Sequence, residues 1–386
     1  VFARPQCGSD ITWRYDRKRF QESHQSPQQG RYFNKCMKNM TPPTPLNASA
    51  APERVTVTLE MVAKRAGVSP STVSRILNGT AVVSEAKRQA VMDATQALGF
   101  VPNPLARGLA GGKTFSIGVV TQAIDSPFYG AALRGIEDAL DPAGYSPLFM
   151  SAHWDPTAEA RCLDVLRSRR VDGIVVLMPR LSDAALEACA QALPMVVTGR
   201  DLRGPQLYSL NFDNFNGGRM ATEHLIGQGH RQIAFIAGAE EHPDAAERLR
   251  GYRYALAEAK IAFDPRLVVP GQYHEVSGLE AAKYLVQQGL PFSAIFASND
   301  QMASGAALGL FQSGLRVPQD VALVGFDDLP TSMYATPPLS TIQQPAFELG
   351  RLAAAAMLEL LVGNTPSAQL PAPALLVRAS SDRRRA

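Results

Sequence analysis

From Val55 onward, apolar residues recur at helical spacing. Leu59, Val62, Ala63 and Ala66 occupy i, i+3, i+4 and i+7, which marks one face of a helix. Thr58 is placed to cap that helix and Gly67 to end it in a tight turn. Ser69 then caps a second helix, with Pro70 in its first turn, where a missing N–H costs nothing. Val73, Ile76 and Leu77 face inward. Ser71, Thr72, Ser74 and Arg75 face outward, and Asn78-Gly79 stops the helix. A third helix runs from a cap at Ser84 to Gly99, with Val91, Ala94 and Leu98 inward. Two short helices joined by Ala66-Gly67-Val68-Ser69, with a third behind, predict an all-α helix-turn-helix head.

A short segment follows. Asn103 caps, Pro104 opens a first turn, and Gly111-Gly112 stops it, so the intervening helix has barely two turns and contains Gly108. A helix this short is marginal alone in water and is expected to fold on a partner. Leu109, apolar on an exposed element, is suited to wedge between base pairs in a minor groove. Beyond residue 113 the pattern changes. Apolar runs at Ser116–Val120, Gly173–Leu177, Met195–Thr198, Gln232–Ile236, Ala294–Ala297 and Val321–Val324 alternate with helical segments such as Tyr129–Leu140, Ala158–Arg169 and Arg219–Gly227. Alternation of this kind predicts parallel sheets flanked by helices, an α/β body of two similar lobes. Ligands in such sheets sit beyond the carboxyl ends of the strands. The polar residues there are Gln122, Asp125, Arg200, Asn299-Asp300 and Asp327-Asp328. Asp300 is read as a helix cap rather than a ligand group.

Composition narrows the classes. Apolar residues make up 46% of the 386 and charged ones 19%, enough for large cores. No apolar run reaches the ~18–20 residues of a spanning helix, and the N-terminus lacks a signal-peptide pattern, so no membrane role and a cytoplasmic location are expected. The four cysteines (Cys7, Cys36, Cys162, Cys189) form no CxxC, which disfavours a disulfide scaffold or a zinc site, and no cofactor is expected. Charge is uneven: residues 1–54 carry +5, residues 55–113 carry +4, and residues 114–386 carry −6. A basic front on an acidic body fits nucleic-acid binding at the front. Residues 1–54 show neither strand nor helix periodicity and read as a disordered extension. Met40 precedes its Pro-rich end, which suggests that translation starts there; a genuine basic arm is the alternative.

Val57-Thr58-Leu59…Val62-Ala63…Ala66-Gly67-Val68-Ser69…Thr72-Val73-Ser74-Arg75…Leu77-Asn78, then Val83-Ser84, then Leu98-Gly99-Phe100…Pro102-Asn103…Ala106…Leu109 resembles the head and hinge of the lactose/galactose repressor (LacI/GalR) family. Similar landmarks continue through the body, among them Ser126-Pro127-Phe128-Tyr129, Arg248-Leu249-Arg250-Gly251-Tyr252, Ser298-Asn299-Asp300 and Gly325-Phe326-Asp327-Asp328. The resemblance implies a helix-turn-helix domain at 55–101, a hinge helix at 102–113, and a periplasmic-binding-protein-like body at 114–386. One lobe would hold about 114–212 and 345–372, the other about 213–344 and 373–386. Candidate DNA contacts are Thr58, Ser69, Ser71, Thr72, Ser74, Arg75, Asn78, Asn103 and Leu109.

By the same resemblance, Arg248 and Asp327 are the main polar ligand groups, Asn299 is a further contact, Tyr273 is an aromatic platform, and Phe128 and Tyr129 form the opposing wall. Gln122 and Gln344 fall at variable pocket positions, and Arg200 lies on the same rim. At the two most sequence-reading positions of the second helix stand Pro70 and Ser71, short groups that do not transfer an operator from better-known members. The function implied is a homodimeric repressor of carbohydrate-utilisation genes. It binds a pseudo-palindromic operator in double-stranded DNA and is released by a sugar; a corepressor-type regulator binding a purine is the alternative. A periplasmic carrier has no use for the head. An enzyme is disfavoured because no nucleophile–base pair, phosphate loop or metal spacing is visible.

Overall fold

The structure is a computed structural model and describes residues 57–77, 83–100, 112–239 and 242–382. It divides into two compact units, Val1–Val101 and Pro102–Ala386. In the first, helices α1 (Leu59–Ala66), α2 (Pro70–Leu77) and α3 (Glu85–Leu98) enclose Val62, Ala63, Val73, Ile76, Val91 and Ala94. Local chemistry sets the boundaries. The Thr58 hydroxyl accepts from the Met61 amide, and Gly67 (φ 67°) and Gly99 (φ 63°) take the left-handed turn that side chains resist. Ser84 has the extended backbone of a cap, but its side chain makes no capping bond, contrary to expectation.

The second unit contains two sheets. The first lobe is built from β1 (Ser116–Thr121), α4 (Pro127–Leu140), β2 (Ser146–Ser151), α5 (Pro156–Ser168), β3 (Gly173–Val176), α6 (Asp183–Ala190), β4 (Met195–Thr198) and β5 (Leu207–Leu210). Its strand order is β2-β1-β3-β4-β5, all parallel. The second lobe contains α7 (Asn214–Gly227), β6 (Ile233–Ile236), α8 (Pro243–Glu258), β7 (Val268–Val269), α9 (Glu275–Gln287), β8 (Ala294–Ala297), α10 (Asp300–Gln312), β9 (Ala322–Asp327), α11 (Pro330–Met333) and β10 (Ser340–Gln343). The chain then returns to the first lobe as α12 (Ala346–Leu361) and ends in the second as β11 (Ala374–Leu376), antiparallel to β10. The second sheet runs β11-β10-β9-β8-β6-β7. The chain therefore crosses between lobes three times: after β5, after β10 and after α12.

Both sheets are covered on both faces, which is why their strands read as continuous apolar runs rather than alternating ones. In the first lobe, Ile117, Val119 and Val175 point to one core and Val120, Ile174 and Val176 to the other. In the second, Ile236, Ile295 and Leu323 oppose Phe235, Phe296 and Val324. Paired glycines bring neighbouring helices close: a Cβ at Gly218 of α7 would overlap the backbone of Arg248 on α8, and one at Gly251 would overlap that of Phe215. That close approach sets the depth at which Arg248 enters the second lobe.

Candidate functional site

In the head, the exposed end of α2 carries a chain of hydroxyls. Ser69 Oγ lies 2.9 Å from Ser71 Oγ and 2.8 Å from Thr72 Oγ1, and accepts from the Thr72 amide at 3.3 Å. Ser71 and Arg75 are exposed, while Thr72 and Ser74 are half-buried. Thr58, also exposed, spends its hydroxyl on the α1 cap. Asn78, Asn103 and Leu109 lie outside the described residues, as does residue 1–54.

In the body, the carboxyl ends of the strands converge on Arg248, which is 4% exposed. Its Nε donates to Asn214 Oδ1 at 2.8 Å, one Nη to Gln344 Oε1 at 2.9 Å, and the other Nη to the Ser298 carbonyl. The guanidinium lies 3.7 Å from the centroid of the Phe326 ring. Asp327 Oδ1 stands 3.9 Å from Nη1, an ion pair too long for a direct hydrogen bond. Asp327 ends β9 at φ 113°, followed by Asp328 at φ 57°. Two consecutive non-glycine residues at positive φ carry backbone strain of the kind found at functional sites. Burial pushes the Asp327 carboxyl well above the usual range, against the pull of Arg248. Asp244, in the first turn of α8, is also raised by burial, opposed by Arg248, by a bond to Asn214 and by Arg200.

Tyr273 lies against this floor. Its hydroxyl is buried without a partner, as is the hydroxyl of Ser298 beside it. A Cβ at Gly238 would overlap the Tyr273 ring, so the glycine makes its seat. From the first lobe Tyr129 closes on the same groups: burial raises its hydroxyl pKa, with Asp244, Tyr273 and Asp327 adding to the effect. Arg248, Asp327, Gln344, Tyr273 and Tyr129 are thus brought together.

The other candidates are placed differently, and Gln122 and Asp300 depart from expectation. Gln122 is fully buried, and its amide is spent on Glu159 Oε2 (2.9 Å), the Met178 carbonyl (3.0 Å) and the Trp154 N–H (3.1 Å). It braces a loop and offers a ligand nothing. Asn299 accepts from the Met302 amide as the α10 cap and donates to the Tyr273 carbonyl at 3.0 Å. The expected cap, Asp300, instead sits inside the helix, accepting from the Leu329 amide, Ser332 and Thr341. Phe128 is half-buried on the first core, edge-on to Tyr129. Arg200 donates to the Pro179 carbonyl at 3.1 Å and pairs with Asp183 at 3.9 Å, and Asp125 is exposed.

Four neighbours escaped the sequence reading: Asn214, Asp244, Trp154 and His242. Trp154 and His242 stack across the lobes, ring centroids 3.6 Å apart, and His242 in turn stacks on Tyr273 at 5.1 Å. The carboxyl-end rule reaches Trp154 once β2 is recognised. That strand is partly exposed and contains Pro147, which blunts its signal. Among the described residues no group of acidic, His and Cys side chains is arranged to hold a metal, and no helix is long and apolar enough to cross a membrane.

The sequence matches the family profile of bacterial regulatory proteins of the lacI family over residues 58–103, and that of the periplasmic binding protein-like domain over residues 222–381. It is 37% identical over 316 residues to the transcriptional regulator CelR of Thermobifida fusca, covering 80% of this chain and 93% of that one. The transcriptional repressor PurR of Haemophilus influenzae is 34% identical over 317 residues, covering 81% and 93%. Among solved structures, the Lac repressor dimer bound to operator and the anti-inducer ONPF superposes with a TM-score of 0.78 at 32% identity, covering 84% of this chain and 99% of that one. A CelR–cellobiose complex gives 0.63 at 35% identity, covering 84% and 100%. With a helix-turn-helix head, a two-lobed body and relatives alike along most of their length, the chain belongs to the LacI family of DNA-binding transcriptional regulators.

Proposed function

We propose that this protein is a cytoplasmic repressor released from its operator by a carbohydrate held between the lobes of the body. The observation that carries the reading is the Arg248–Asp327 pair. A buried guanidinium and a buried carboxylate face each other at 3.9 Å, a spacing that a hydroxyl bonded to both would fill. Beside them, the partnerless hydroxyls of Tyr273 and Ser298 have hydrogen-bonding capacity to offer a polyol. Gln344 and Asn214 orient the fork, and Tyr129 brings an apolar wall from the facing lobe. Ser69, Ser71, Thr72 and Arg75 on α2 suit phosphate and base edges in a major groove.

A symmetric operator calls for two copies. The exposed side of α10 carries Leu308 (48% exposed) and Phe311 (77%), an apolar stripe suited to meet its counterpart on a second chain. The Lac repressor relative is a dimer on its operator. A ligand that favours one separation of the lobes shifts the population toward the DNA-bound or the free form.

The test uses the full chain and labelled duplex from the region upstream of its own gene, with binding followed by fluorescence anisotropy. Release by a member of a panel of mono- and disaccharides is the expected result. Tightening by hypoxanthine or guanine, with no sugar effect, would establish the purine corepressor reading instead.

A further inference from the structure

Trp154 and His242 are not part of the polar floor around Arg248, yet the fold presents them with some care. Trp154 follows β2, the edge strand reached from β1 through α4; Tyr273 follows β7, the edge strand reached from β6 through α8. The two rings thus hold equivalent places in the two lobes. Both stand at positive φ, 61° for Trp154 and 62° for Tyr273, a conformation that non-glycine residues adopt at a cost. Each backbone is fixed by a buried amide: Gln122 Oε1 accepts from the Trp154 N–H, and Asn299 Nδ2 donates to the Tyr273 carbonyl. Trp154 packs against the first core on one side and remains half-exposed on the other.

His242 lies between the two rings. Outward from the floor the order is Arg248, Tyr273 (6.0 Å from the guanidinium carbon to the ring), His242 (5.1 Å further) and Trp154 (3.6 Å further). Tyr129 meets Trp154 edge-on at 6.1 Å. The outermost contact is the one made between lobes, so its gap is set by how far the lobes part.

We propose that Trp154 and His242 are the two walls of a second ring site, in series with the Arg248–Asp327 floor, which takes the outer ring of a two-ring glycoside. The inference rests on the carbohydrate reading above. A pyranose has apolar C–H faces that pack on aromatic rings while its hydroxyl edges stay free for polar groups. A monosaccharide on the floor leaves the Trp154–His242 stack closed. A two-ring glycoside must part it, so ligand length sets the separation of the lobes.

The chain has two tryptophans, Trp13 and Trp154, so a Trp13→Phe background makes Trp154 the sole indole reporter. The full-length protein is titrated with glucose, galactose, cellobiose and lactose. The expected result is a disaccharide that binds at least about ten-fold tighter than its component monosaccharides and shifts Trp154 emission. Titrated by calorimetry, since they lack the indole, Trp154→Leu should erase that advantage while leaving monosaccharide affinity within about two-fold, and Trp154→Phe should keep part of it. A cooperative urea melt of the body, at a midpoint near that of the parent, reports that each variant is folded. Equal binding of both sizes, or equal loss of both in Trp154→Leu, overturns the second ring site and leaves the carbohydrate reading standing. If no sugar changes emission or operator binding, and Arg248→Ala behaves as the parent, both fall together.

Discussion

The two lobes are variations on one βαβ plan, and the places where they differ divide the labour of the cleft. The first crossover helix of the first lobe, α4, opens with Phe128 and Tyr129; its counterpart in the second lobe, α8, opens with Asp244 and carries Arg248 one turn later. The helix of one lobe thus opens with rings and that of the other with charge. The carboxylates raised by burial, half-buried Asp244 and buried Asp300 and Asp327, all belong to the second lobe. A shared scaffold thus gathers the carboxylates shifted by burial in the second lobe.

The comparison is broken most directly at Arg248. Arg248→Ala strands Asn214, Gln344 and Asp327 in a buried site. It should cost about 3–5 kcal/mol of body stability and abolish effector release, with operator binding in the absence of effector near normal. A urea melt and an operator titration with and without sugar measure both effects; retained release would remove charge as the second lobe's contribution.

Asp300 gives a pH test of the same lobe. Burial holds its carboxyl at about 6, above the ordinary 3.8, although Ser332, Thr341 and the Leu329 amide favour the charged form. Below the ordinary value both folded and unfolded forms carry the proton, so the group contributes nothing. Between the two values the folded form keeps a proton that the unfolded form has lost. Stability therefore falls as pH rises from about 4 to about 6, by an amount of order 3 kcal/mol, and stays lower above. Asp300→Asn should flatten that part of the stability–pH curve; an unchanged slope would show that Asp300 titrates normally.

The smallest effects belong to the two braces. Gln122→Ala leaves the Trp154 N–H and buried Glu159 short of a partner and should cost about 2 kcal/mol. Asn299→Ala removes a cap and the Tyr273 tie, for about 1 kcal/mol. Thermal unfolding of both variants sharpens the parallel between lobes. A cost for one and none for the other would mean that only one ring is truly held.

Much of this was legible in the sequence because the deciding signals are local. Leu59, Val62 and Ala63 declare a helix face within one turn, and Thr58 and Gly67 bound it. Arg248, Asp327 and Tyr273 were found through a resemblance, and the fold brings them together. Gln122 and Asn299 show where the strand-end signal stops. A polar residue past a strand end reveals that it is near the cleft but not which way its amide turns, and here both turn back to the protein. Trp154 was missed because Pro147 and partial exposure weaken β2. The Gly218–Gly251 approach that seats Arg248 has no trace in hydrophobic periodicity.

The triple passage of the backbone between lobes has a consequence for synthesis. The head, between residues 57 and 100, draws its core from contiguous chain and is complete once α3 has left the ribosome. The first lobe is not: Leu349, Ala353 and Met357 of α12 fill the same core as Ile117 and Ile136. Its strands are translated early, but its core stays unfinished until α12 is made. A nascent repressor therefore owns a DNA-reading module well before it owns a chamber able to answer a metabolite.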